Sequence, residues 1–407
     1  MATDQPISYR TLFLSREFRA LFAAQSVSVV GDQFARVALS VLVFDRTGSA
    51  AWTALAYGLT FLPDLVGGPL LSGLADRHPR RALMVIADLA RALLVALMAI
   101  PGLDLWLVCV LLVAVQLIGA PANAARGALL PSVLGADSYP AGQALMQTVT
   151  QAAQVIGFAG GGALIAAIGT SGVLFADAGT FLLSALLVGA LVRARPAPTA
   201  EVTTGRWWTD LTEGAGLVWS DLRLRALVLF ACLSGFYIVG EAIAVPYATA
   251  LGGGAVTVGF MFAAYAAGAA VGMLVVARLP LASRLRLLSP LAACACLPLV
   301  VCFLDPHVVV VVLLFVASGA GSAYQVIAST SFVLAVPDER RGQAFGLAVT
   351  ALRVAQGIGV ALAGLAAEVL EPHQVVGIAG AVGLVAVLAV GWTWKVADGR
   401  ALTLAAT

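Results

Sequence analysis

Stretches of about twenty mainly apolar residues, enough for a helix to cross the hydrocarbon core of a bilayer, recur along this chain. Twelve can be drawn, near residues 18–44, 51–74, 82–101, 105–125, 143–168, 171–192, 224–250, 255–278, 287–304, 307–334, 342–367 and 374–396. A water-soluble fold could not hide them. Hydrophobic residues make up 61% of the 407 positions and charged ones only 11%, against about half and about a quarter in soluble domains. The expected class is an all-α membrane protein with twelve transmembrane helices. The polar start, with Arg10 and Arg16, precedes a run too long for a signal-peptide core, so the first run is read as the first span.

Orientation follows from the basic residues. With both termini cytoplasmic, the 23 Arg and Lys fall on the inner side, Arg126 among them, except Arg46 outside and Arg36, Arg91 and Arg353 within spans. That is the positive-inside pattern. A net charge of +2, scattered over many short gaps, gives no footprint for nucleic acid. Lys395 is the only lysine, a bias that fits a GC-rich bacterial genome. The five cysteines all lie in apolar stretches and read as free buried thiols.

The chain also repeats itself. "GQALMQTVTQAAQVIG" at 142–157 returns 200 positions later as "GQAFGLAVTALRVAQG" at 342–357. "RALF" from Arg19 opens the first span and "RALV" from Arg225 the seventh. Two pseudo-symmetric six-helix bundles in the same orientation are therefore expected, over 1–192 and 224–407. Such parallel repeats place a substrate site at the repeat interface, near mid-membrane. Residues 193–223 form the longest polar segment. It reads as a cytoplasmic linker with a Pro-rich start and an interfacial helix marked by Trp207, Trp208 and Trp219.

The densest charge sits between the second and third spans, in "GGPLLSGLADRHPRRALMV". Asp76, Arg77, Arg80 and Arg81 resemble the loop motif of the major facilitator superfamily, G-x-x-x-D-R-x-x-R-R, with Gly73 one place nearer the Asp than in that pattern. "SVSVVGDQFARVALSVLVF", "FLPDLVGGPLLSGLADR", "GAPANAARGALLPSVL" and "FADAGTFLLSALLV" resemble its macrolide- and multidrug-efflux branch of proton-driven exporters. The family's fifth-span antiporter motif usually carries Gly-Pro; "GFAGGGAL" has Ala159 at the proline. Read as a latch, Gly73 allows close helix approach. Asp76 caps the positive end of a helix from the other half. Arg77, Arg80 and Arg81 bridge to acids or to the phosphates of membrane lipids. Asp88 and Arg91, near the inner end of the third span, are read as supports for that latch.

Charges inside spans need a partner, a cavity or a proton, because an ionised side chain at the bilayer centre costs roughly 2.5–3.5 kcal/mol on insertion scales. Asp32 has Arg36 one turn on, and Gln25, Ser28, Asp32 and Arg36 share a stripe. The pair is either static or switched by protonation of Asp32. Glu241, one turn after Tyr237, has no basic neighbour on its own helix. Either Arg353 or another distant cation reaches it, or it stays protonated. Asp64 follows Pro63 in mid-span and is a third candidate carboxylate for proton coupling; Asp177 reads as structural. Gln143, Gln147, Gln151 and Gln154 share one helix face, and with Gln25, Ser28, Gln116, Asn123, Tyr237, Tyr324, Gln325, Arg353 and Gln356 they would line a polar path or hold helices together.

Neither a phosphate-binding glycine loop with lysine nor a metal-ligand cluster is present in the sequence, so no enzyme activity, metal or cofactor is expected. The reading is a monomeric exporter in the bacterial cytoplasmic membrane, moving small amphipathic organic compounds outward by alternating access against inward proton flow. The alternative is an uncoupled exporter or facilitator of one endogenous solute, such as a siderophore or a lipid-like metabolite.

Overall fold

The computed structural model describes residues 9–63, 65–67, 74–196, 215–337 and 340–405. Among them the chain is helical throughout, with no strand. Nine of its helices are long and apolar enough to cross a membrane. One of these, Asp137–Leu191, has 55 residues and breaks at Gly169 (φ 72°), which joins the fifth and sixth expected spans through a single residue. The second expected span is not continuous in the described residues, and the third, Arg80–Met98, carries Arg80, Arg81, Asp88 and Arg91.

The chain divides into two compact units: Met1–Leu42 with Leu59–Thr204, and Val43–Gly58 with Gly205–Thr407. In the first unit, Phe18, Leu21, Met84, Leu129 and Val188 form the inner core, and Phe13 meets Phe18 and Phe22 edge-on at 5.6 and 5.1 Å. Glycines of the fifth span bring its backbone against the first: a Cβ at Gly161 would lie 3.4 Å from the Phe34 Cα, and one at Gly157 2.7 Å from the Gln33 Cβ. Lipid offers no hydrophobic drive between helices, so such close packing carries the association. Glu17 ties the two ends of this unit together, accepting from the Arg193 N–H and from Arg195 Nη2, both at 2.7 Å.

In the second unit the helix Ala255–Ala277 packs on Val308–Gly321 at the spacing Gly268-x-x-x-Gly272. A Cβ at Gly268 would fall 2.0 Å from the Val316 carbonyl oxygen, and one at Gly272 2.3 Å from that of Ala320. Residues 43–58 belong to this unit. Ser49 begins the helix Ala50–Leu59: its hydroxyl accepts from the Trp52 N–H and donates to Glu368 Oε1 at 2.6 Å, which also accepts from the Ala51 N–H.

One expected span, the seventh, is broken where a continuous helix was anticipated: it runs as Leu222–Ala242 and then Ala244–Ala250. Pro246 has no N–H for the Ala242 carbonyl and its ring crowds that turn, so the helix yields at Ile243 (φ −112°, ψ 22°). The tenth runs on through Val308–Ala335, with a tightened turn at Ser322 and Ala323. By the same reasoning the helix Ala50–Leu59 ends where Pro63 would crowd the Leu59 carbonyl.

Candidate functional site

Each unit holds polar side chains clustered between its apolar helices. In the first, Arg91 Nη2 donates to Asp32 Oδ1 at 2.9 Å. The Arg91 side chain is 8% exposed and that of Asp32 34%. The Arg91 guanidinium also lies 4.0 Å from the centre of the Phe181 ring, so its second face is covered by an aromatic quadrupole. Two further acids are buried in the same unit. Asp88 Oδ2 accepts from the Ser184 hydroxyl at 2.6 Å while its Oδ1 has no partner. Asp177 Oδ1 lies 3.1 Å from the Thr180 hydroxyl. Gly31 makes room for this pair, since a Cβ there would fall 2.3 Å from Asp177 Oδ1.

This geometry corrects several expectations. Asp32 pairs with Arg91 on a neighbouring helix, not with Arg36 one turn away. Arg36 instead lies 5.9 Å from the Phe158 ring centre, and its Nε is buried without a partner. Asp88 and Arg91, expected as supports for the latch, are buried and bonded to Ser184 and Asp32 within the first unit. Arg126, assigned to the inner surface by charge counting, belongs to the helix Leu105–Gly135; its Nη1 donates to Gln25 Oε1 and lies 3.4 Å from Asn123 Oδ1.

Around the loop motif, Arg80 Nη1 donates to the Ala128 carbonyl at 2.8 Å and Arg81 to that of Gly189. Both are tied inside the first unit in place of the bridges expected of them. Arg77 is exposed at the end of the short helix Leu74–Arg77. Gly73 and Asp64 lie outside the described residues, as do Trp207 and Trp208 and the side chain of Asp76.

The second unit's cluster grows from the broken seventh span. Glu241 sits just before the Ile243 break and accepts a hydrogen bond from the Tyr57 hydroxyl. Tyr57 stacks on Phe262 at 5.8 Å and Tyr237 on Tyr265 at 6.1 Å. Tyr324 and Gln325, in the tenth span, reach carbonyls of the seventh. The Tyr324 hydroxyl donates to the Phe230 carbonyl at 3.0 Å, and Gln325 Nε2 lies 3.1 Å from that of Ala231 and 3.0 Å from the Tyr237 hydroxyl. Arg353 Nη1 donates to Gln356 Oε1 at 3.1 Å.

Of the path residues, the structure brings Gln25 and Gln147 to one cavity of the first unit, and Tyr237, Tyr324 and Gln325 to one cluster of the second. Ser28 is buried, and Gln151 and Gln154 are half-buried. Sequence reasoning missed Tyr57, Phe181 and Ser184, whose partners are distant in the chain; only their place inside apolar spans hinted at them. Among the described residues no group of three or more His, Cys, Asp or Glu is placed to hold a metal ion.

Known proteins fit this picture. A Multidrug efflux pump Tap from Mycolicibacterium fortuitum is 28% identical over 371 residues, covering 87% of this chain and 89% of that protein. Macrolide efflux protein A of Streptococcus pyogenes is 33% identical over 100 residues, 24% of this chain and 25% of its own length. Among solved structures, a POT family transporter in complex with 5-aminolevulinic acid superposes with a TM-score of 0.76 at 12% identity, over 94% of this chain and 97% of that one, a likeness of fold. The family model of the Major Facilitator Superfamily matches residues 21–306 and 238–404, nearly the whole sequence. With spans throughout, ionisable groups at their centres and that match, the chain belongs to the Major Facilitator Superfamily and is a membrane transporter, not an enzyme.

Proposed function

We propose that this transporter exports small amphipathic organic compounds by alternating access in exchange for protons, from the bacterial cytoplasmic membrane, as a monomer with both termini inside. The names of its relatives, a multidrug pump and a macrolide efflux protein, support the substrate class. The observation that carries the coupling is the Asp32–Arg91 pair, one partner buried and the other a third exposed. A proton can reach Asp32 from water. Once Asp32 is neutral, the Arg91 charge sits in a low-dielectric core without its counter-ion. The unit then gains by any rearrangement that brings Arg91 to another acid or to water. Inward proton movement supplies about 2.3 kcal/mol per charge per 100 mV of membrane potential. Glu241, with the aromatic rings around Tyr57 and Tyr237, is the second carboxylate in this reading, suited to the amphipathic solute or to a second proton.

The loop motif acts as the gate. Asp76→Asn is expected to slow transport while leaving membrane insertion intact, read as dye efflux against the amount of protein in the membrane.

Proteoliposomes loaded with a dye panel, with and without a pH gradient, test the main reading. Wild-type export should follow the gradient, and Asp32→Asn should lose that dependence. Gradient-independent export by the wild type would overturn it. It would favour an uncoupled carrier of one endogenous solute, a reading supported by Ala159 at the usual proline of the antiporter motif.

A further inference from the structure

A cavity of about 210 Å³ is lined by residues of the first unit, neither Asp32 nor Arg91 among them. Its polar wall is made by Arg126, Gln25, Asn123, Gln143, Gln147 and Thr150, and among the described residues no acidic side chain lines it and Arg126 is the one charged group there. Its Nη1 is directed by the Gln25 and Asn123 carbonyls, both neutral acceptors, and its Nε is buried without a partner. The acids whose fields reach it, Asp88 and Asp32, bond elsewhere, to Ser184 and Arg91. Gln143 and Gln147 stand one turn apart on an exposed face of the helix Asp137–Leu191 and add amide donors.

A guanidinium oriented by neutral acceptors, with carboxamides beside it in the same lining, has the chemistry of an oxyanion site. An arginine kept only for helix packing would be expected to have a carboxylate on it, because a buried charge without a counter-ion is costly. The volume falls below the 300–1,000 Å³ of a site that encloses a drug-sized molecule. It suits one functional group of a larger ligand.

We infer that this cavity is a subsite for the carboxylate of an organic solute, with Arg126 as the residue that selects acidic or zwitterionic substrates. This rests on the export reading for its setting, but it makes a separate claim, that the first unit discriminates by negative charge.

The test is equilibrium binding to the purified full chain in detergent, with no pH gradient, using 2-naphthoate, 2-naphthamide and 2-naphthylmethylamine as matched probes. Charge-assisted hydrogen bonds of this kind should make the acid bind about tenfold tighter than the amide. Arg126→Gln should erase that difference while leaving the amide's affinity within about twofold, and Arg126→Lys should restore part of it. Equal binding of acid and amide by the wild type, or an acid preference that survives Arg126→Gln, overturns the site. Should Arg126→Gln fail to fold, the exposed-face double variant Gln143→Leu/Gln147→Leu replaces it. A selective weakening of naphthoate by about fivefold is expected there, and undiminished acid binding refutes the assignment. Because no gradient is applied, these outcomes stand apart from those of the proteoliposome experiment.

Discussion

At the scale of single residues, Asp32, Asp88 and Asp177 differ in what reaches them. Asp32 meets a guanidinium and is a third exposed, Asp88 meets one hydroxyl, and Asp177 a threonine beside a glycine. Of the three, Asp32 alone combines a cationic partner with exposure, which is the ground on which the coupling role is proposed for it. Asp88 depends on Ser184 for its one hydrogen bond. Ser184→Ala should lower stability by about 1–3 kcal/mol, the cost of leaving a buried acceptor unsatisfied. A fall in the thermal midpoint of the purified protein would register it, and an unchanged midpoint would show that Asp88 gains nothing from the hydroxyl. Arg91→Lys keeps the charge but loses the planar face that covers Phe181 and the fork that meets Asp32. Export should drop by at least tenfold, measured as initial dye efflux at equal expression.

Among the elements, the broken seventh span sets the position of Glu241, and Pro246 sets the break. Pro246→Ala restores an N–H that can bond to the Ala242 carbonyl. The helix should then run through Ile243 and turn Glu241 away from Tyr57. Normal insertion with loss of export is expected, and unimpaired export would separate the break from function. The cap of Ala50–Leu59 carries a pH signature. The Ala51 N–H, then the Ser49 hydroxyl, hold the Glu368 carboxyl below its ordinary value of 4.5. With the folded value depressed, the stabilisation is fully present above about pH 4.5 and is lost as pH falls through the folded value. Wild type and Glu368→Gln should therefore differ in thermal midpoint at neutral pH and converge in acid. A constant gap across that range would exclude the carboxylate as the cause.

Over the whole molecule, the hydropathy pattern and the loop motif carried the fold class, because bilayer thickness dictates helix length whatever the packing. Tertiary partners were harder to read. An i, i+4 rule favoured Arg36 for Asp32, yet the third span delivers Arg91 to the same carboxylate. Arg126 looked like a loop charge because apolar content falls before its helix ends; the helix runs on to Gly135 and carries the arginine into the unit. The start of the second span, near residues 43–58, packs with the second unit although the chain order assigns it to the first bundle, and no local pattern records that. Orientation remains a prediction. A single reactive cysteine placed at Thr47 in a cysteine-free background should label from outside intact cells, and one at Ser220 only after permeabilisation. The reverse pattern would invert the proposed direction of export.

Gly135 and Gly169 share nearly the same backbone angles (φ 73°, ψ 167° and φ 72°, ψ 170°), and each is the sole joint between two long helices. Joints this short leave no slack. The fifth span has little freedom to slide or turn without dragging the fourth and sixth, so in the proposed transport cycle the three are expected to travel as one lever. A few flexible residues inserted at either glycine would decouple that lever, leaving a protein that still assembles but no longer transmits the stroke.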